Sequence, residues 1–171
     1  MERSSVILSL LFAPLCLAGR VSDTFKVNAT VTSGCEFGTG KGFGSSNFGT
    51  LSFGTLPAIS SDVNAASRIG GGSIVVTCTP GTAVTISLDY GEHGGNTNRR
   101  RMRNISGETL GYQLYQDAAH TTVWADGSLA YSIASFPEST QIYTVYGRLF
   151  TVEGLPASGT YSDTITVTLT L

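Results

Sequence analysis

From Gly159 to Leu171 the chain alternates strictly: Tyr161, Asp163, Ile165, Val167, Leu169 and Leu171 interleave with Ser162, Thr164, Thr166, Thr168 and Thr170. Successive side chains of a strand point to opposite faces, so this pattern predicts a strand with one dry and one wet face. No residue follows to pair with it, and an apolar last strand without a successor implies an unfinished sheet. A second alternating stretch lies towards the other end, where Phe25, Val27, Ala29 and Val31 interleave with Lys26, Asn28, Thr30 and Thr32. The two patterns together predict that the front of one molecule supplies what the sheet of a neighbour lacks.

Residues 1–18 read as a secretory signal: Arg3 precedes an apolar stretch from Val6 to Leu17 that is shorter than the roughly 20 residues needed to span a bilayer. Its removal takes Cys16 away and leaves Cys35 and Cys78. In an exported chain two such residues predict a disulfide rather than a metal site, which would need further Cys or His at short spacing. The loop-entropy relation assigns such a bridge about 4 kcal/mol. The remaining length of about 150 residues suits one domain with its own core. Ten basic and twelve acidic residues give a net charge of −2, so nucleic acid and anionic membrane are not expected partners.

Strands are predicted over Phe25–Thr32, Phe48–Phe53, Ser73–Cys78, Ala83–Tyr90, Thr109–Tyr115, Leu129–Ile133, Ile142–Phe150 and the terminal run. Turn residues separate them, as at Thr79-Pro80-Gly81 and Ala125-Asp126-Gly127. The best helix candidate, Asp62 to Ile69, is short and runs into Gly70-Gly71-Gly72. Many short strands at this spacing predict an all-β sandwich of antiparallel sheets.

Motifs for catalysis are thin. The run Gly38 to Ser45 lacks the Gly-Lys-Ser/Thr ending of a phosphate loop, and no helix pattern follows it. His93 and His120 each stand alone in polar, turn-like settings that predict solvent exposure. No Gly-x-Ser-x-Gly turn is present, and nothing selects a pair among Asp89, Glu92, Asp117 and Asp126 for glycoside hydrolysis. No enzyme activity, cofactor, metal or small-molecule substrate is therefore expected. The one charge run, Arg99-Arg100-Arg101-Met102-Arg103, reads as a solvated strand or hairpin whose arginine stems cover apolar surface; the alternative is a site for an acidic partner or sulfated glycan. Trp124 and the tyrosines are expected in core or rim positions rather than on a sugar-stacking platform.

The ordered set Phe25-x-Val27, Cys35, Asn47-Phe48-Gly49-Thr50-Leu51, Ser73-Ile74-x-Val76-x-Cys78, Ser87-Leu88-Asp89-x-Gly91, Arg101-Met102, Leu110-x-Tyr112-x-Leu114-Tyr115-x-Asp117, Val123-Trp124-x-Asp126-Gly127, Tyr143-x-Val145-Tyr146-Gly147-Arg148 and Gly159-x-Tyr161-x-Asp163 resembles the spore coat protein U-like domain. That domain includes subunits of archaic, Csu-type chaperone-usher pili. The resemblance implies an incomplete immunoglobulin-like β-sandwich completed by a donor strand. It also implies a periplasmic pilus chaperone, an outer-membrane usher and neighbouring pilus subunits as partners, with export through the periplasm to the cell surface. Residues 19–34 are then the donor segment, with Phe25, Val27, Ala29 and Val31 as plugs, and 35–171 the sandwich. The acceptor groove is expected at Phe48, Leu51, Phe53, Ile165, Val167, Leu169 and Leu171. A shaft or adaptor role follows, because no room remains for a receptor-binding domain. The alternatives are a secreted carbohydrate-binding sandwich, a spore-coat structural protein and a hydrolase.

Overall fold

The computed structural model describes residues 22–38, 47–137 and 140–171; the expected signal at 1–18 and most of the glycine-rich run at 38–45 lie outside them. The chain divides into two units, Met1–Val31 and Thr32–Leu171. In the first, the described residues form no strand, and Phe25, Val27 and Val31 are 86%, 82% and 93% exposed. The ladder expected over Phe25–Thr32 is absent because its backbone groups have no neighbouring strand to pair with.

The second unit is all-β. Its strands are β1 (Cys35–Phe37), β2 (Val63–Ala66), β3 (Ile74–Cys78), β4 (Val84–Leu88), β5 (Arg100–Arg103), β6 (Thr109–Tyr115), β7 (Tyr131–Ile133), β8 (Thr140–Tyr143), β9 (Tyr146–Leu149) and β10 (Val167–Thr170). One layer is the four-stranded antiparallel sheet β2-β9-β6-β5. The other is built from two three-stranded pieces, β1-β3-β8 and β10-β4-β7.

These two pieces are halves of one broken sheet. Ile74 pairs with Tyr143 in the first and Val84 with Ile133 in the second, so the register is the same on both sides of the break. Across it, Gly81 N–H donates to the Phe136 carbonyl (2.8 Å) and Phe136 N–H to that of Thr82 (2.9 Å). The central strand is thus flanked by β1 over its first half and by β10 over its second. Among the described residues, β10 pairs only with β4.

Alternation decides which side chains meet between the layers. Ile74, Val76, Cys78, Val84, Ile86 and Leu88 face Leu110, Tyr112, Leu114 and Leu149 in one buried cluster, with Trp124 and Phe136 closing it. The Trp124 indole N–H donates to the Ile86 carbonyl (2.9 Å), so the ring is core rather than a sugar platform. Cys35 and Cys78, directly opposite in the β1–β3 ladder, form a disulfide.

Several segments differ from their sequence expectation. Asp62–Ile69 contributes strand β2 and no helix. Ile142–Phe150 splits into β8 and β9, which belong to different layers. Phe48–Phe53 makes only an isolated bridge, Gly49 to Gly71, and the terminal run is a ladder only over β10, preceded by a bridge from Ser162 to Arg103.

Candidate functional site

Two unladdered segments, residues 47–57 and 156–165, form the walls of an open cleft of about 1200 Å³. Its floor is the sandwich interior itself: Ile74 and Leu88 from the broken sheet, and Leu110, Tyr112, Leu114 and Leu149 from the four-stranded one. Among the described residues no backbone hydrogen bond joins the two walls. The layers therefore lie apart along this side, as they would where a strand is missing between two neighbours.

The second wall keeps the period-two alternation read from the sequence, and the first alternates over Leu51–Phe53. Leu51 and Phe53 on one side, and Tyr161, Asp163 and Ile165 on the other, point inwards and are half-buried, while the residues between them are exposed. Phe53 packs edge-on to Tyr112 (6.4 Å between centroids) and Phe48 to Phe37 (5.3 Å). Of the residues expected to form a groove, Phe48, Leu51, Phe53, Ile165 and Val167 line this cleft. Leu169 packs against the core without lining it, and Leu171 is 61% exposed.

The second wall is pinned by acids, which the sequence pattern did not single out for this purpose. The side chain of Asp163 is nearly enclosed; its carboxylate accepts from the Tyr112 hydroxyl (2.6 Å) and from Glu92 N–H (2.9 Å). Burial first, and then this hydrogen bond, push the Tyr112 phenol well above its ordinary value. Asp89 accepts from the amides of Gly91 (3.1 Å) and Thr166 (3.0 Å). Gly91, at φ +81°, is required twice over: its backbone is left-handed, and a Cβ there would run into the Asp163 carboxylate. The signal in the sequence was an acid on the otherwise apolar face of the terminal run.

The other candidate groups are structural as well. The Asp117 carboxylate accepts from the amides of Thr121 and Thr122, and the Thr122 bond leads the interactions holding its pKa below the usual carboxylate value. Tyr90 donates to Asp126 (2.8 Å). The expectation of exposed histidines fails: His93 is half-buried 3.9 Å from Asp163, and the His120 ring packs between Tyr115 and Tyr146 with its backbone at φ +58°. Among the described residues no three His, Cys, Asp or Glu side chains are grouped as metal ligands.

Residues 21–168 match the Spore Coat Protein U domain family. The chain belongs to this family. Protein U of Myxococcus xanthus is 33% identical over 162 residues, covering 90% of this chain and 86% of that protein. Among solved structures, similarity is found to the CsuC–CsuE chaperone–tip adhesion subunit pre-assembly complex of the archaic chaperone-usher Csu pili of Acinetobacter baumannii. That match is 23% identical, covers 83% of this chain and 40% of the other, and has a TM-score of 0.49. A second match, to a chaperone–tip adhesin complex of CFA/I fimbriae biogenesis, is 15% identical, covers 67% and 37%, and has a TM-score of 0.41. The Spore Coat Protein U match spans both units, from the alternating N-terminal stretch into β10.

Proposed function

We propose that this Spore Coat Protein U domain chain is a structural subunit, shaft or adaptor, of a surface fibre built by donor-strand exchange. Phe25, Val27, Ala29 and Val31 of one copy enter the cleft of the next, between residues 47–57 and 156–165. A periplasmic chaperone keeps the subunit soluble before assembly, and an outer-membrane usher receives it on the way to the cell surface. The observation that carries this reading is the cleft: two walls of alternating apolar side chains, half-buried, over a floor that is the sandwich core. An inserted strand would pair its backbone with the unladdered walls, 47–57 and 156–165, and send alternate side chains into the core, which is β-augmentation. Burial of three large plugs and one alanine is worth on the order of 5 to 8 kcal/mol before ordering costs. Because donor and acceptor are different surfaces, the contact does not close on itself and propagates as a fibre.

The test is Val27→Asp in the full chain, co-expressed with its chaperone. A buried unpaired carboxylate disfavours insertion, so polymer yield falls sharply while chaperone-bound subunit is still recovered. Unchanged polymer yield overturns the assignment of the donor.

A further inference from the structure

The outer face of the four-stranded sheet, away from the cleft, carries most of the charge run that the fibre reading leaves unused. Register fixes the facing: Arg101 stands opposite Gly111 and Arg103 opposite Thr109, and on β9 Arg148 stands opposite Gln113, all alternating with the core positions Leu110, Tyr112 and Leu114. Arg101 and Arg103 are about 7 Å apart along β5, and Arg148, two strands over, stands level with Arg99, about 10 Å from it across the sheet. Arg99, Arg101 and Arg103 are exposed, and among the described residues no carboxylate lies within 4 Å of any of them. Arg148 is 3.9 Å from Asp62 and donates to the Asn64 side-chain oxygen (3.0 Å). A chain with a net charge of −2 thus sets three arginines without a carboxylate partner among the described residues, Arg99, Arg101 and Arg103, along one strand.

Edge protection against aggregation accounts for charges on β5, which is an edge strand, but two features go beyond it. First, Arg99 is seated: its guanidinium lies over the Phe150 ring (5.0 Å), and its stem crosses Gly111, where a Cβ would collide with it. A glycine inside a strand weakens the ladder, and here the space it leaves is filled by an arginine. Second, Arg148 sits on the interior strand β9 with its guanidinium over Tyr115 (5.8 Å). Both cations lie over aromatic rings rather than sweeping through solvent, and Arg148 is fixed in addition by its bond to Asn64.

We propose that this face binds a linear acidic polysaccharide. Guanidinium forks pair with carboxylates bidentately, and the exposed row along β5 runs in the direction an extended chain would take. The faces of Phe150 and Tyr115 are covered by the arginines, so bases have no platform on which to stack, and single-stranded nucleic acid does not fit. An acidic peptide added to the sheet edge meets a blocked backbone, because the amide and carbonyl of Arg103 are already bonded to Ser162.

Purified full chain is titrated with polygalacturonate, with neutral dextran, oligo-glutamate and single-stranded DNA as comparisons, over a series of salt concentrations. Polygalacturonate should bind, and binding should weaken with salt. Arg101→Ala with Arg103→Ala should weaken it about tenfold or more and lower the salt slope by about one per arginine removed. Arg68→Ala, outside β5 and β9, should change nothing, and thermal unfolding of all variants should match the parent. Absence of polygalacturonate binding at low salt, equal loss with Arg68→Ala, or tighter binding of oligo-glutamate or DNA overturns the proposal.

Discussion

Arg100 differs from its neighbours in the charge run by being wholly buried, at 0% exposure. Its guanidinium fills the gap where β6 changes partner from β5 to the segment containing Trp124, whose N–H donates to the Leu114 carbonyl (2.9 Å). It donates to the Asp89 carbonyl (2.6 Å and 2.9 Å), the Trp124 carbonyl (2.8 Å) and the Gln113 side-chain oxygen, so carbonyls from three parts of the fold converge on one cation. Burial lowers its pKa, yet a guanidinium starts so high that it stays charged. Arg100→Leu leaves those acceptors unsatisfied, and a loss of about 3 to 5 kcal/mol is expected in urea denaturation. Arg101→Ala, on the exposed face, should stay within about 0.5 kcal/mol of the parent. In sequence the arginines form one run of like residues; alternation separates inward from outward, but only the arrival of Asp89 and Trp124 makes the inward one a structural centre.

The terminal segment shows how an element can be strand-like without being in a sheet. Residues 160–166 are held through Asp163, Asp89 and the Ser162–Arg103 bridge rather than by a continuous ladder, which keeps one side open. The hydroxyl of Tyr112 is central to that anchorage and gives it a pH dependence. The folded state holds this phenolic proton more tightly than the unfolded chain does, so the associated stability is fully present below about pH 10 and is lost as pH rises beyond it. Tyr112→Phe should therefore cost about 2 kcal/mol near neutrality and flatten the fall in stability between about pH 8 and pH 11. Urea midpoints at the two pH values check both, and an unchanged alkaline slope would assign the fall to the other buried tyrosines. The Phe48–Phe53 segment, whose half-buried residues Phe48, Leu51 and Phe53 are not at strict period two, also lacks a ladder, since pattern records which face is apolar and not whether a neighbour is present.

For the molecule as a whole, the disulfide closes the chain at the point where the first unit gives way to the sandwich. Cys35 and Cys78 enclose a sequence separation of 43 residues and join the short β1 to the middle of the broken sheet. Replacing both cysteines by serine should lower stability by up to about 4 kcal/mol in urea denaturation; an unchanged midpoint would mean the ladder alone holds β1. In the proposed fibre this anchor matters mechanically, because tension applied through an inserted donor passes directly into Cys35 and from there into the core.

The amino-acid sequence by itself determined the all-β class, the inward faces of most strands, the pairing of Cys35 with Cys78 and the alternation of the terminal cleft wall. These are consequences of period-two geometry and local turn chemistry, which act over a few residues. Only the tertiary structure decided that β3 and β4 are one strand interrupted, that Arg100 is buried, that His120 is packed between tyrosines, and that 47–57 and 156–165 face each other across open core. Those facts depend on residues far apart in the chain meeting in space, and a local pattern carries no record of its distant neighbours.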